Sequence, residues 1–283
     1  MPYSNLPQYS VLMTIYKNDN PSWLTEAIES MLNQSFPPSE FVIVQDGPVP
    51  QAVSDVINFY INKYKNIFVL IANAKNEGLG AALKCGVEKC QYEYIARMDS
   101  DDISDKLRCE KILSYMLEHP DYSLVGSDCI EFSGCCENIK GYVRLPNDPN
   151  KVKQFAKKRV PIRHPSIIFK KSDVLKVGNY KPLRRSQEYD LVIRMLMADM
   201  KISNVQEILF YIRVDDDFYS RRGGWDKAKL LASQRRDFYK YGFYNFLEFC
   251  LYASINIGMC MVPNKIRAFL YQKFLRKNTV EQL

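Results

Sequence analysis

Short apolar runs and amphipathic stretches alternate along the first hundred residues. The apolar runs have the length and near-continuous hydrophobicity of strands buried on both faces, and they span residues 9–16, 41–44, 67–72 and 92–98. The stretches between them carry apolar side chains at helical spacing, over residues 22–36, 53–64 and 78–90. This alternation predicts an α/β fold in which helices flank a mostly parallel central sheet.

The pattern changes after residue 105. Helical spacing and strand-like apolar runs continue but no longer alternate regularly; the helices are predicted over 106–120 and 186–200, the strands over 122–132 and 207–214, and a strand with a short helix over 163–180. No internal repeat or low-complexity linker divides this part from the first. The simplest organisation is one domain over residues 1–217 and a separate C-terminal region over 218–283.

Polar side chains cluster where three of the predicted strands end. Asp19 lies shortly after the first strand and Asp46 directly after the second, while the fourth strand runs into the sequence MDSDD, residues 98–102. Ligands of parallel α/β sheets bind at the carboxyl ends of the strands. These three strand ends therefore predict one polar site.

The acidic cluster after the fourth strand has three possible interpretations. A calcium loop that begins at Asp99 needs glycine at its sixth position, where Ser104 stands. A helix cap by Asp102 or Ser104, for the helix predicted from residue 106, explains one acid but not three. A site for Mn²⁺ or Mg²⁺ explains the cluster best, because Asp99 and Asp101 can point the same way at a strand end and their hard oxygens leave positions for phosphate.

Seven segments, in this order, resemble family 2 glycosyltransferases of the bacterial polysaccharide and O-antigen type: SVLMTIYKND, VIVQDGP, NEGLGAAL, YIARMDSDDIS, HPSIIFKKSDVLKVGNY, QEYDLVIRML and YSRRGGW. The resemblance spans roughly residues 9–225. It implies a GT-A catalytic domain with a nucleotide-binding half over about 1–105 and an acceptor half over about 106–217. The implied activity is that of a metal-dependent inverting hexosyltransferase.

The resemblance also implies which residues bind a UDP-sugar donor. It places the base and ribose near Thr14, Tyr16 and Asp19, and the nucleotide near Arg97. Asp46 would accept a hydrogen bond from the uracil N3–H. The ring of a tyrosine offers a stacking face for the base, which agrees with the assignment of Tyr16.

By the same resemblance, Asp101 would bind Mn²⁺ or Mg²⁺, and Asp99 would contact the ribose or the metal. A divalent ion there would neutralise the diphosphate of the donor and stabilise the departing nucleoside diphosphate. Arg221 and Arg222, followed by two glycines, are predicted to fold over that diphosphate as a lid. The alternative for this pair is a solvated loop.

Inverting sugar transfer needs a carboxylate that takes the proton of the attacking hydroxyl. The family pattern has Glu-Asp before Tyr-Asp-Leu, and this chain reads Gln187-Glu188 there. Glu188 is therefore the predicted base and Asp190 the second choice. The alternative is that both acids favour the positive N-terminus of a helix. His164 is predicted to line the acceptor side or to be a hydrogen-bonded structural residue.

The C-terminal region, residues 218–283, is predicted to be a helical extension in which positive charge is concentrated. Residues 218–283 hold 12 Lys and Arg against 4 acids, whereas the rest holds 27 against 28. The apolar run 249–262 is short for a membrane span, and residues 265–277 mix basic with aromatic side chains, which is typical of a helix at an anionic membrane surface. The alternatives are a helix packed on the domain and, with no recognition module to support it, nucleic-acid binding, which we reject.

These features predict an enzyme that extends an O-antigen or capsule repeat unit on a polyprenyl diphosphate. It would be a cytoplasmic protein, peripheral at the inner face of the bacterial plasma membrane, because the N-terminus lacks a signal peptide pattern. The eight scattered cysteines are predicted to be free thiols. Two other functions stay open, a nucleotidyltransferase and a catalytically silent protein that binds sugar nucleotides.

Overall fold

This computed structural model describes residues 6–183, 185–214 and 224–262. These residues contain nine strands and nine α-helices. In chain order they are β1 (Tyr9–Ile15), α1 (Pro21–Leu32), β2 (Glu40–Gln45), α2 (Gln51–Lys63), β3 (Phe68–Ala72), α3 (Leu79–Lys89), β4 (Tyr94–Met98), β5 (Ile103–Ser104), α4 (Arg108–Glu118), β6 (Tyr122–Ser133), β7 (Cys135–Val143), α5 (Pro149–Ala156), β8 (Ile168–Lys170), α6 (Lys171–Lys176), α7 (Gln187–Met197), β9 (Lys201–Arg213), α8 (Trp225–Lys240) and α9 (Phe246–Met261). A 3₁₀ turn, His164–Ser166, precedes β8.

The strands form one sheet in the order β3-β2-β1-β4-β8-β6-β9-β5, with β7 paired to β6. The first four strands in this order are parallel, as predicted. β8 then pairs antiparallel to both β4 and β6, which makes the sheet mixed. Ile15 lies opposite Gln45, and Met13 lies opposite Met98. The carboxyl ends of β1, β2 and β4 therefore meet at one edge of the sheet.

Each face of the sheet packs against its own layer of helices. Alternate side chains of a strand point to opposite faces, so Leu12 packs with α3 and α7 while Met13 packs with α1, α2 and α4. A Cβ at Gly86 of α3 would lie 2.2 Å from a methyl carbon of Leu12. The glycine thus allows α3 to approach β1 closely, and burial on both faces explains why these strands are continuously apolar.

The elements predicted from apolar periodicity are confirmed, although β9 begins at Lys201, ahead of the predicted strand 207–214. Within the described residues the predicted helical C-terminal extension consists of α8 and α9. In contrast, β5, β7 and α5 were not predicted. β5 has only two residues. β7 is mostly exposed, so it lacks a strand's alternation of apolar and polar side chains. α5 buries only two of its eight residues, although Asp148 and Pro149 form a readable start signal. All eight cysteines are free, in agreement with the prediction.

Both C-terminal helices pack on the sheet domain, α8 through Arg235 and α9 through the ion pair of Glu248 with Lys157. Arg235 is buried and donates to the hydroxyl of Tyr189 on α7 at 2.8 Å and to the carbonyl of Lys158 at 2.8 Å. The predicted boundary at residue 217 lies outside the described residues, so the division into domains stays a prediction. Within the described part of the chain, no helix is both long and apolar enough to cross a membrane.

Candidate functional site

Acidic side chains from the two halves of the chain line one cavity of about 300 Å³. The end of β4 supplies three aspartates, and the first turn of α7 supplies Glu188. The other lining residues come from the segment before β8 and from the end of β9, and they are Val160, Ile162, Arg163, His164, Pro165, Ile212 and Arg213. The cavity thus joins the predicted metal ligands to the predicted base.

Asp99, Asp101 and Asp102 each place a carboxylate oxygen within 4.8 Å of the others. Loss of hydration and the charge of Asp99 raise the pKa of Asp101 to about 6. Asp102 is buried and accepts from the backbone N–H of Arg213 at 2.8 Å, while Asp101 keeps solvent-accessible surface although its surroundings displace part of its hydration. Three carboxylates at this spacing repel one another, and hard oxygen ligands suit a divalent cation.

The helix-cap interpretation of this cluster is wrong. Asp102 accepts from Arg213 and not from the first turn of α4, and α4 has no side-chain cap at its N-terminus. Asp105 accepts from the N–H of Leu107 at 2.8 Å. The hydroxyl of Ser104 donates to the carbonyl of Asp105. Tertiary contacts of Asp102 therefore override the local capping preference.

Arg97 lies behind the acidic cluster. Its side chain is fully buried and donates from Nη2 to Oδ1 of Asp99, whose side chain is one-third exposed. An arginine without exposed surface acts on a ligand in the cavity through the carboxylate that it orients. In the structure the contact that Arg97 makes with the site is therefore its bond to Asp99.

Arg213, which no sequence pattern singled out, holds the loop that carries the aspartates. Its Nε donates to the carbonyl of Asp101 at 2.9 Å, and its Nη1 donates to the carbonyl of Gly134 at 2.6 Å. Its Nη2 pairs with Glu26 at 2.5 Å. The guanidinium also packs between the rings of Trp23 and Phe132, 4.9 and 4.6 Å from their centroids. The sequence feature that could have pointed to Arg213 is its position as a single arginine within the apolar strand 207–214.

Replacing Arg213 by alanine is expected to lower the affinity of the cluster for Mn²⁺ by about tenfold to a hundredfold, the effect typical of losing an outer-shell partner of a metal ligand. The loss follows because the guanidinium of Arg213 holds the carbonyl of Asp101, whereas the backbone N–H that bonds to Asp102 is kept in the variant. Titration of free Mn²⁺ by electron paramagnetic resonance measures it. Glu26→Gln, which removes only the outer ion pair, is the matched control, and equal affinities in both variants would contradict this role.

Asp46 anchors the start of α3. Its Oδ1 accepts from the N–H of Glu77 at 2.8 Å, and its Oδ2 accepts from the N–H of Gly78 at 2.9 Å. Gly78 has a φ of +95°, a conformation that glycine adopts readily. A Cβ at Gly80 would lie 2.2 Å from the carbonyl oxygen of Lys181. The glycines of NEGLGAAL therefore shape the edge of the site, and recognition of uracil by Asp46 stays a prediction.

The turn after β1 presents Tyr16 to solvent. Asp19 accepts from the N–H of Tyr16 at 2.9 Å, and burial raises the pKa of Asp19 to about 6. Tyr16 is 43% exposed, whereas Thr14 is buried. An exposed ring beside Asp19 is accessible for stacking, so the structure is compatible with the donor-binding role predicted for this turn.

The two acids at the start of α7 have different surroundings. Glu188 is half-buried and lines the cavity. Asp190 is buried and accepts from Arg194 Nε at 2.8 Å, from the hydroxyl of Tyr241 at 2.9 Å and from Lys181 Nζ at 3.3 Å. Both residues lie in the first turn of a helix, as the alternative interpretation predicted. The ion pairs of Asp190 favour a structural role for it and leave Glu188 as the better candidate for the base.

Replacing Asp190 by alanine is expected to lower the free energy of unfolding by about 3 kcal/mol, because it leaves the largely buried charge of Arg194 without its partner. The turnover of the molecules that remain folded is expected to stay close to wild type. Urea unfolding and an activity assay below the unfolding midpoint measure the two quantities. A stable variant without turnover would instead identify Asp190 as the base.

Two further residues give the cavity its polarity. Burial, and secondarily the charge of Arg97, lower the pKa of His164 well below its usual value, and its Nε2 lies 2.8 Å from the hydroxyl of Tyr180. His164 is therefore neutral and hydrogen-bonded while lining the cavity. Arg163, which no sequence pattern singled out, adds a positive charge to the cavity wall.

Arg221 and Arg222, the predicted lid, lie outside the described residues.

The family model described as Glycosyl transferase family 2 matches residues 10–173. The chain is 32% identical over 273 residues to the UDP-Gal:alpha-D-GlcNAc-diphosphoundecaprenol beta-1,3-galactosyltransferase of Escherichia coli, covering 96% of this chain and 98% of that protein. It is 33% identical over 266 residues to the amylovoran biosynthesis glycosyltransferase AmsE of Erwinia amylovora, covering 94% and 98%.

Solved structures share the fold at lower sequence identity. The mannosyltransferase PcManGT of Pyrobaculum calidifontis, in complex with GDP-Man and Mn²⁺, matches with a TM-score of 0.66 and 12% identity, covering 93% of this chain and 72% of that one. S. aureus TarS 1-349 in complex with UDP-GlcNAc matches with a TM-score of 0.62 and 16% identity, covering 81% and 66%. At these identities the likeness concerns the fold.

Proposed function

This chain belongs to glycosyl transferase family 2, and from that premise we propose that it transfers a sugar from a UDP-sugar to a lipid-linked saccharide, with inversion at the anomeric carbon. The observation that carries the proposal is the cavity in which the aspartates after β4 meet Glu188 of α7. Inverting transfer needs a site for the donor diphosphate and a base in one enclosure.

Membership in the family makes the chain a glycosyltransferase, as predicted from the seven sequence segments. The GT-A fold class is also confirmed, since the fold neighbours are GT-A glycosyltransferases. The division of the domain into a nucleotide-binding half, about 1–105, and an acceptor half, about 106–217, belongs to the proposal. It is supported by the donor-side residues lying at the ends of β1, β2 and β4 and by Glu188 lying on α7.

The acidic cluster fits a divalent cation. Asp101 and Asp99 would hold Mn²⁺ or Mg²⁺, because Asp101 is exposed and Asp99 is oriented by Arg97, whereas Asp102 already accepts from a backbone N–H. The ion would neutralise the donor diphosphate and so stabilise the leaving group. That a fold neighbour was crystallised with Mn²⁺ supports this choice of metal.

Glu188 performs the proton transfer in this proposal. Its carboxylate accepts the proton of the acceptor hydroxyl while that oxygen forms a bond to the anomeric carbon of the donor. The bond between that carbon and the diphosphate oxygen breaks, and UDP leaves with the electron pair. Donor contacts come from Thr14, Tyr16, Asp19 and Asp46, while Arg97 orients Asp99.

The substrates are inferred from the relatives. The name of the Escherichia coli relative gives UDP-Gal as its donor and GlcNAc-diphosphoundecaprenol as its acceptor. We extend the chemical class, a UDP-sugar and a polyprenyl-diphosphate saccharide of an O-antigen or capsule, to this chain. Such an acceptor resides in a membrane, so the protein would work as a peripheral enzyme at the inner face of the plasma membrane.

Product analysis tests this function. The protein is incubated with Mn²⁺, a lipid-linked GlcNAc diphosphate and, in turn, UDP-Gal, UDP-Glc and UDP-GlcNAc. We expect free UDP and an extended lipid-linked saccharide in equal amounts with one of these donors. In a parallel incubation with UTP and a sugar 1-phosphate, release of pyrophosphate and formation of a UDP-sugar would identify a nucleotidyltransferase. Donor binding with no transfer to any lipid-linked saccharide would identify a silent binding protein.

A further inference from the structure

Helix α9 exposes an apolar face. Leu247, Leu251 and Ile255 are 78%, 54% and 50% exposed, and their spacing of four residues places them along one side of the helix. Phe246 and Met261 add exposed apolar surface at the two ends. The opposite side, which includes Ala253 and Cys260, is buried. A helix that is buried on one side and apolar on the other presents its second side to an apolar partner.

Basic side chains border this face at its N-terminal end. Glu248 is the one charged residue of α9, and it pairs with Lys157 at 2.5 Å. Lys158 and Arg159 follow directly and are exposed. Arg235 fixes this segment to the C-terminal helices through the carbonyls of Lys157 and Lys158. The apolar face is therefore joined rigidly to a patch of positive charge.

We propose that α9 lies in the headgroup layer of an anionic bilayer, with Leu247, Leu251 and Ile255 inserted and Lys158 and Arg159 on the lipid phosphates. Apolar insertion beside positive charge is the physical signature of a helix bound in a membrane interface. In sequence, residues 263–283 continue this charge with five Lys and Arg against one acid. A second copy of the chain would bring the same positive charges together, which disfavours a dimer on this face.

The bilayer surface and the cavity are connected by a short segment. Residues 157–159 carry the basic border, and Val160, Ile162 and Arg163, which follow within four residues, line the cavity. A membrane bound at α9 would bring the diphosphate of a lipid-linked acceptor to the side of the cavity that this segment forms. The delivery of a lipid-linked acceptor to the cavity rests on the proposed function, whereas binding of α9 to vesicles does not require that function.

Vesicle flotation of the full chain tests the proposal, with vesicles of phosphatidylglycerol and phosphatidylethanolamine and with vesicles of phosphatidylcholine alone. We expect binding to the anionic vesicles and at least about tenfold weaker binding for the combined variant Leu247→Gln, Leu251→Gln and Ile255→Gln. These side chains are exposed, so the variant is expected to fold. The matched control is Phe59→Gln with Leu117→Gln, two exposed apolar positions on helices of the opposite sheet face.

The charge is tested separately. Lys158→Gln with Arg159→Gln is expected to weaken binding to anionic vesicles by about tenfold, while Lys63→Gln with Lys65→Gln at the end of α2 changes nothing. Unchanged vesicle binding in the α9 variant overturns the proposal, because the exposed face of α9 is then not the surface that contacts the bilayer. A dimer in light scattering that dissociates in the α9 variant also overturns it. UDP binding measured in the same variants distinguishes a failure here from a failure of the proposed function.

Discussion

Glu188→Gln is expected to lower kcat by about a thousandfold, within the range by which a positioned general base accelerates a reaction. The amide keeps the size of the side chain but cannot accept the proton of the acceptor hydroxyl. The affinity for the donor is expected to stay unchanged, because the diphosphate site lies on the aspartates after β4. Steady-state release of UDP gives kcat, and calorimetric titration with UDP gives the affinity.

The control for this variant is Glu188→Asp, which keeps the carboxylate but withdraws it by one methylene. We expect it to retain more turnover than the glutamine variant. Asp173→Asn, which removes an acid from the first turn of α6, controls for the general effect of acids at helix N-termini. Wild-type turnover in Glu188→Gln would refute the assignment of the base.

Asp101→Ala is expected to abolish tight binding of Mn²⁺ and to lower turnover by about a thousandfold, since a bound metal contributes several kcal/mol of charge stabilisation to the transition state. The folded protein is expected to be no less stable than wild type. Removing Asp101 relieves its repulsion with Asp99 and Asp102. Mn²⁺ titration and urea unfolding of the same preparation measure both effects.

The control here is Asp121→Ala, which removes an exposed acid that pairs with Lys201 outside the cavity. Such a surface ion pair contributes little to stability, so both metal affinity and turnover are expected to remain at wild-type values. Tight Mn²⁺ binding that persists in Asp101→Ala would mean that this residue is not the ligand.

The metal ligands and the base could be predicted from the sequence because their chemistry is local and specific. Three aspartates at a strand end and two acids before an apolar helix each suggest a small set of functions. Their proximity could not be read from periodicity, since Asp101 and Glu188 are 87 positions apart and come together only in the folded cavity. The resemblance to a known family supplied that link.

The residues that were missed act through tertiary contacts. In the sequence, Arg213 is one polar residue within an apolar strand. Its role depends on contacts with Trp23, Phe132 and the carbonyl of Asp101, which come together only in the folded sheet. The helix-cap alternative fails for the same reason. The local sequence places Asp102 where it could cap α4, but in the folded chain its carboxylate accepts a hydrogen bond from the backbone N–H of Arg213 instead.

Calorimetric titration of the wild-type protein with UDP, in the presence of Mn²⁺ and then of EDTA, tests the central claim most directly, with GDP and CDP as comparison ligands. A donor site built on the aspartates after β4 predicts selective binding of UDP that requires the metal and is lost in Asp101→Ala. Binding of UDP that is equally tight in EDTA, or no binding of any of the three nucleotides, would contradict the account.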